Sequence, residues 1–290
     1  MSGFPWAAFV TNLAPAAAAA FAVMLTFFAL GTARGMHRLV DIAWGLAFTA
    51  VAVVTYASAA GHGDDTRRLL VASATALWGV RLAVHIAWRG RGHGEDPRYE
   101  RMLAKAPGNR SLYALRTVYL LQGALVWIVS LPVQTAQFTP EPVGPLMFAG
   151  IAVWATGLCF EAVGDLQLGR FKTDPANRGR VMDRGLWSWT RHPNYFGDFL
   201  VWWGLFLMAC GTWQAAVVSL VSPVVMSVLL IKGSGKRLLE SHMAQRPGYA
   251  AYMARTSGFL PRPPRSAGGG EQRDRAGSKK IAARCDGRDR

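Results

Sequence analysis

Residues 190–211, "TRHPNYFGDFLVWWGLFLMACG", decide how this chain is read. The first nine positions hold an Arg, a His, an Asn and an Asp, and the thirteen that follow carry no charge. A polar mouth on an apolar run marks a membrane boundary. Its polar residues either anchor the chain at headgroup level or hold a ligand. Composition supports the membrane: 51% of the 290 residues are hydrophobic and only 17% are charged, against about 25% in ordinary soluble domains. Eleven Trp residues suit a chain whose indoles sit at the lipid–water interface.

Working outward from that stretch, a helix needs about 20 mostly apolar residues to cross a bilayer. Seven segments meet this: roughly 11–33, 39–60, 68–88, 112–135, 144–166, 194–211 and 213–232. The expected fold is all-α and polytopic, with seven transmembrane helices in a domain spanning 1–264. "GTWQ" alone separates the last two spans, so they are expected to form a tight antiparallel hairpin. The start "MSGFPWAAFV" lacks the basic residues of a cleaved signal peptide, so the first span is expected to remain in the mature protein.

Basic residues follow every odd-numbered span. Arg34 and Arg38 follow the first, Arg89 to Arg116 the third and Arg170 to Arg191 the fifth, and fourteen Lys and Arg lie from Lys232 onward. The links "GHGDDTRR", "QFTPEPVG" and "GTWQ" are balanced or carry no Lys or Arg. The positive-inside rule then places the N-terminus outside and the C-terminus in the cytoplasm, in a bacterial inner membrane. The net charge of +15 reads as topology plus attraction to anionic lipid, with no nucleic-acid partner and no obligate protein partner. Residues 265–290, Gly-rich and charged, are expected to form a disordered tail. Cys159, Cys210 and Cys285 are far apart with no Cys-x-x-Cys pair, so neither a disulfide framework nor a metal site is expected.

Ionisable residues inside spans are costly and mark candidate sites. Asp41 lies at the cytoplasmic end of span 2, where it is either an interface acid paired with Arg38 or part of a site. Arg81 and His85 are four apart on span 3, and Glu161 and Asp165 are four apart on span 5, so each pair shares a helix face. All lie in the cytoplasmic half, and the outer half reads as bland and apolar. One polar cavity open to the cytoplasm is therefore expected. Asn194 and Asp198 repeat the spacing at the start of span 6. The Arg- and Lys-rich cytoplasmic loops could clamp phosphate, with Trp187, Trp189 and Tyr195 as stacking partners. Neither a GxGxxG nor a GxxxxGK[ST] stretch occurs, which excludes a Rossmann domain and a P-loop.

The segments "DIAWGLAF", "LWGVRLAVHIAWRGRGHGEDPRY", "LWSWTRHPNYFGDFLVWWG" and "SGKRLLESHMAQRPGYAAYMARTSGFLPRPP" together resemble the bacterial branch of the steroid 5-alpha-reductase family, over roughly residues 25–264. The resemblance implies a seven-helix membrane enzyme that takes NADPH and reduces an activated carbon–carbon double bond, as in a 3-oxo-Δ4 steroid or another lipid enone. It implies cofactor contacts at Glu161, Asp165, Lys172, Arg180, Arg191, His192, Asn194, Tyr195, Asp198, Tyr249, Tyr252 and Arg255. Steroid-reducing members of the family polarise the 3-oxo group with a Glu in span 2 and a Tyr in span 3. This chain has neither: Asp41 is the one acid of span 2, and span 3 offers Arg81 and His85. The catalytic candidates are accordingly Arg81, His85 and Asp41, with His85 as electrophile or acid and Arg81 holding the enolate oxygen. "RHPNYFG" resembles almost as well the RHPxYxG stretch of isoprenylcysteine and phospholipid methyltransferases, which use S-adenosylmethionine. That is the alternative, with a transporter or scaffold third.

Overall fold

The computed structural model describes residues 3–232, 240 and 243–264; the expected tail of residues 265–290 lies outside them. Ten helices organise the described residues. They are α1 (Trp6–Arg34), α2 (Val40–Ser58), α3 (Asp65–Arg89), α4 (Pro97–Leu103), α5 (Arg110–Ala136), α6 (Pro145–Thr173), α7 (Leu186–Trp189), α8 (Pro193–Ala209), α9 (Trp213–Ile231) and α10 (Tyr249–Arg255). Among the described residues there is no strand, only an isolated parallel bridge between Thr190 and Ser257. Six helices, α1, α2, α3, α5, α6 and α9, are long and apolar enough to cross a bilayer. The chain is therefore an all-helical polytopic membrane protein. α8 has 17 residues, about 25 Å of helix at 1.5 Å per residue.

Local chemistry sets the helix boundaries. The Asp64 side chain accepts the Arg67 backbone N–H at 2.8 Å and starts α3, as N-cap carboxylates do. Asp96 followed by Pro97 starts α4, and Asn109 starts α5. α1 stops at Gly35, whose φ of 64° lies in the left-handed region that glycine tolerates. Within α5, residues Leu115–Leu120 form a π turn, an insertion that often accompanies functional sites.

Lipid offers little hydrophobic drive between helices, so close approach of small residues holds a bundle together. α6 and α8 make the most extensive pairing in the molecule. They run antiparallel along Gly150 and Gly157 of one and Gly197 and Gly204 of the other. A Cβ at Gly197 would lie 2.6 Å from both the Glu161 nitrogen and the Gly157 oxygen, and one at Gly157 would lie 2.6 Å from the Gly197 oxygen. α2 and α3 meet in the same way at Gly45 and Gly79. An aromatic cluster of Trp44, Phe48, Trp78 and Trp202 fills the centre where α2, α3 and α8 converge.

The end of the bundle opposite the carboxylates is not bland. α3 begins three residues before the expected span, which places Arg67 and Arg68 in its first turn at 3% and 4% exposure. Arg67 donates to the Met208, Glu141 and Pro142 carbonyls, and Arg68 to the Tyr56 carbonyl and Asp65. These arginines satisfy helix ends and loop carbonyls that would otherwise be orphaned in an apolar surround. Replacing Gly197 with Ala should force α6 and α8 apart at a cost of about 1–3 kcal/mol. The check is the thermal midpoint of detergent-purified protein, which should fall below that of wild type.

Candidate functional site

The N-terminal ends of α2, α5 and α8 and the C-terminal ends of α3, α6 and α9 gather at one end of the bundle, and α4 lies against them. Between them is a cavity of about 590 Å³, within the range of small-molecule sites. Asp41, His85, Glu161, Asp165, Asn194, Tyr195 and Asp198 all line it. The i, i+4 spacing turns Glu161 and Asp165 of α6 to one side and Asn194 and Asp198 of α8 to one side, as helix geometry requires.

One wall is charged. Arg81 donates to Asp165 at 2.6 Å and lies 3.2 Å from Glu161, bridging two acids one turn apart on α6. The Trp78 indole donates to the other Glu161 oxygen at 2.9 Å. His85 Nε2 is 3.5 Å from the same Asp165 oxygen that Arg81 holds. Glu161 and Asp165 are 4% and 8% exposed, so this network replaces the hydration that both acids lose. Arg81 thus serves as counter-ion to both acids and does not itself line the cavity, whereas the sequence reading set it at an enolate oxygen.

A second part of the lining contains residues that the sequence did not single out. Tyr99 of α4 donates its hydroxyl to Asp41 at 2.6 Å and is hydrogen-bonded to Gln122. Arg98 lies 3.3 Å from Asp41 and 3.0 Å from Asp96. Burial, and then the Asp41 carboxylate, push the Tyr99 phenol above its ordinary value, so Tyr99 stays a hydrogen-bond donor at neutral pH. Asp41 pairs with Arg98 and Tyr99 rather than with Arg38, whose guanidinium holds the Gly90 carbonyl. The Glu95 carboxylate accepts the backbone N–H groups of His37, Arg38 and Asp96, tying the loop before α4 to the start of α2. Leu82, Leu121, Leu125, Met226, Leu229 and Trp44 supply apolar surface to the same cavity.

Seven expected cofactor residues lie elsewhere. Lys172, in the last turn of α6, and Arg180, in the loop beyond it, do not line the cavity. The Tyr252 hydroxyl donates to the Trp187 carbonyl at 2.6 Å, Arg255 pairs with Asp183, and Tyr249 packs on Tyr252. Arg191 and His192 both reach Glu240, at 2.8 and 3.1 Å. The last five residues fasten the C-terminal segment to the loop before α8. Charge in a loop cannot distinguish these uses. The missed residues left one signal, "EDPRY", in which Asp-Pro opens a short helix and turns Arg98 and Tyr99 toward one another's partners.

The chain belongs to the DUF1295 family, described as a protein of unknown function, which matches residues 27–256. Over 67 residues it is 36% identical to a probable O-methyltransferase, ustE, of Ustilaginoidea virens. That alignment covers 23% of each protein, so the chain spans under a quarter of this curated relative. No solved structure matches.

Two outcomes follow from the geometry. Arg81→Met leaves two buried carboxylates uncompensated, at a cost of about 3–5 kcal/mol. Adding Asp165→Asn should recover part of the thermal midpoint measured in detergent. Burial raises the Glu240 carboxyl, but hydrogen bonds from Arg191 and His192 outweigh it and hold the group below the ordinary 4.5. A depressed acid contributes stability that is complete above its unfolded value and lost as pH falls toward the folded one. The C-terminal segment should thus stay docked at neutral pH and become accessible to limited proteolysis below about pH 4.5.

Proposed function

We propose that this chain is a membrane-embedded reductase that takes NADPH in the cavity and reduces the activated double bond of a lipid enone. Its substrate would resemble a 3-oxo-Δ4 steroid. The observation that carries the reading is the cavity's lining: carboxylates and a carboxamide on α6 and α8, the Tyr99–Asp41 pair on α4 and α2, and apolar side chains of α5 and α9 share one space. α8 is counted as the seventh crossing, since 17 residues meet the lower limit for a span. The positive-inside bias then sets the N-terminus outside, with the cavity end facing the cytoplasm of a bacterial inner membrane.

The residues present fit a dinucleotide. Glu161, Asp165, Asp198 and Asn194 supply acceptors and an amide for ribose hydroxyls and a carboxamide, and Arg89, exposed at the rim, offers a cation to phosphate. NADPH, when bound, supplies a hydride. The protein's part is to polarise and protonate. Substrate binding would turn the single Tyr99 hydroxyl proton from Asp41 to the substrate carbonyl oxygen, where negative charge develops, and Arg98 would keep its pairing with Asp41. His85, aimed by Asp165, is placed to deliver the proton to the α-carbon. Leu121, Leu125, Met226 and Leu229 accept an apolar body and keep water out.

A second reading has its own observation. The acid-rich wall sets Glu161, Asp165 and Asp198 against the single Arg81, which suits the cationic sulfonium and ammonium of S-adenosylmethionine. The similarity to a probable O-methyltransferase agrees with it. The two readings diverge at Tyr99. Tyr99→Phe should lower NADPH-dependent enone reduction by about 10²-fold or more while leaving NADPH affinity near wild type. Wild-type protein that leaves NADPH unconsumed with a panel of lipid enones, and methylates a lipid instead, would replace the first reading with the second.

A further inference from the structure

Outside the cavity, a set of hydrogen bonds joins the C-terminal segment to residues 187–195. The Thr190 hydroxyl donates to the Phe259 carbonyl at 2.8 Å, the Arg191 N–H donates to the Ser257 carbonyl at 2.9 Å, and the Arg262 N–H donates to the Trp189 carbonyl at 3.0 Å. Arg191 Nη1 donates to the Thr256 carbonyl at 2.7 Å. All of these involve backbone on the C-terminal side and would tolerate many sequences. Glu240 differs, because one carboxylate oxygen takes both the Arg191 Nε–H at 2.8 Å and His192 Nε2 at 3.1 Å.

His192 occupies the position just before α8 and is 1% exposed. A carboxylate on Nε2 requires a proton there, which fixes the tautomer and the plane of the ring. That ring lies parallel to Tyr195, with 5.4 Å between centroids and 4° between planes. Tyr195, together with its neighbour Asn194, lines the cavity, and Glu240 does not. A line of contact thus runs from Glu240 through His192 to the flat face of Tyr195.

We propose that Glu240 is a positioning residue: through His192 it holds Tyr195 and the first turn of α8 in the geometry that binds the nucleotide part of the ligand, without touching that ligand. This rests on the reading of the cavity as a nucleotide site, whether for NADPH or for S-adenosylmethionine. The aromatic ring of Tyr195 suits stacking on a purine or pyridine face, which every dinucleotide and S-adenosylmethionine provide. Base–aromatic stacking is strong enough that misaligning the ring weakens binding by about tenfold.

The test compares full-length wild type with Glu240→Ala, Glu240→Asp and Asp183→Asn in lipid nanodiscs. Asp183→Asn removes the other ion pair of the junction, that with Arg255, and leaves Glu240 untouched. Hydrogen–deuterium exchange of the 192–198 amides without ligand should quicken in Glu240→Ala, remain near wild type in Asp183→Asn, and be largely restored in Glu240→Asp. Titration with NADPH and with S-adenosylmethionine should show about a tenfold weaker Kd in Glu240→Ala for whichever one stabilises wild type. Turnover at saturation should be nearly unchanged. Equal exchange in Glu240→Ala and wild type overturns the proposal, as does equal loss in Glu240→Ala and Asp183→Asn. Should wild type bind neither nucleotide, the nucleotide reading fails, and the exchange data still decide whether Glu240 holds the α8 start.

Discussion

Everything at the site end of this bundle depends on one bridged charge, the Arg81 guanidinium set against Glu161 and Asp165. Ionised groups within a span are expensive unless paired, and here one cation serves two acids a turn apart. The bridge ties α3 to α6. The glycine seam at Gly157 and Gly197 ties α6 to α8 with backbones close enough to exclude any Cβ, and Gly45 against Gly79 ties α2 to α3. Three such contacts fix four helices relative to one another, and the cavity is the space they leave.

Two polar sets, carried on different helices, share that space with apolar side chains from α5 and α9. On the proposed reading this arrangement is a division of labour. Acceptors and an amide on α6 and α8 recognise a polar cofactor, and a donor held by a carboxylate on α2 and α4 recognises a substrate oxygen. Tyr99 comes from a seven-residue helix latched by Glu95 and Asp41, and a residue so held keeps its hydroxyl aimed. This chain brings an acid of α2 to a tyrosine of a loop helix.

Much of this was legible in the sequence, for identifiable reasons. Long apolar runs specify helices because lipid leaves the backbone no other way to satisfy its hydrogen bonds, and the i, i+4 pairs Glu161/Asp165 and Asn194/Asp198 state their shared face directly. What escaped depended on tertiary contact. "GHGDDTRR" has the composition of a solvated loop, yet Asp64 caps a helix there and buries Arg67 and Arg68 against carbonyls from distant segments. Tyr99 sits in a polar loop whose packing against Asp41 spans 58 positions. Arg191, His192, Tyr252 and Arg255 carried the right chemistry for a ligand, but their partners turned out to be Glu240, the Trp187 carbonyl and Asp183.

Direct binding to the cavity is the central claim. Equilibrium titration of the purified protein with NADPH, with S-adenosylmethionine as competitor, measures it in one experiment when run on wild type and on Asp165→Asn. The account predicts saturable NADPH binding in wild type, undisturbed by S-adenosylmethionine and weakened by about tenfold in Asp165→Asn. Absence of NADPH binding, with saturable S-adenosylmethionine binding in its place, would contradict it.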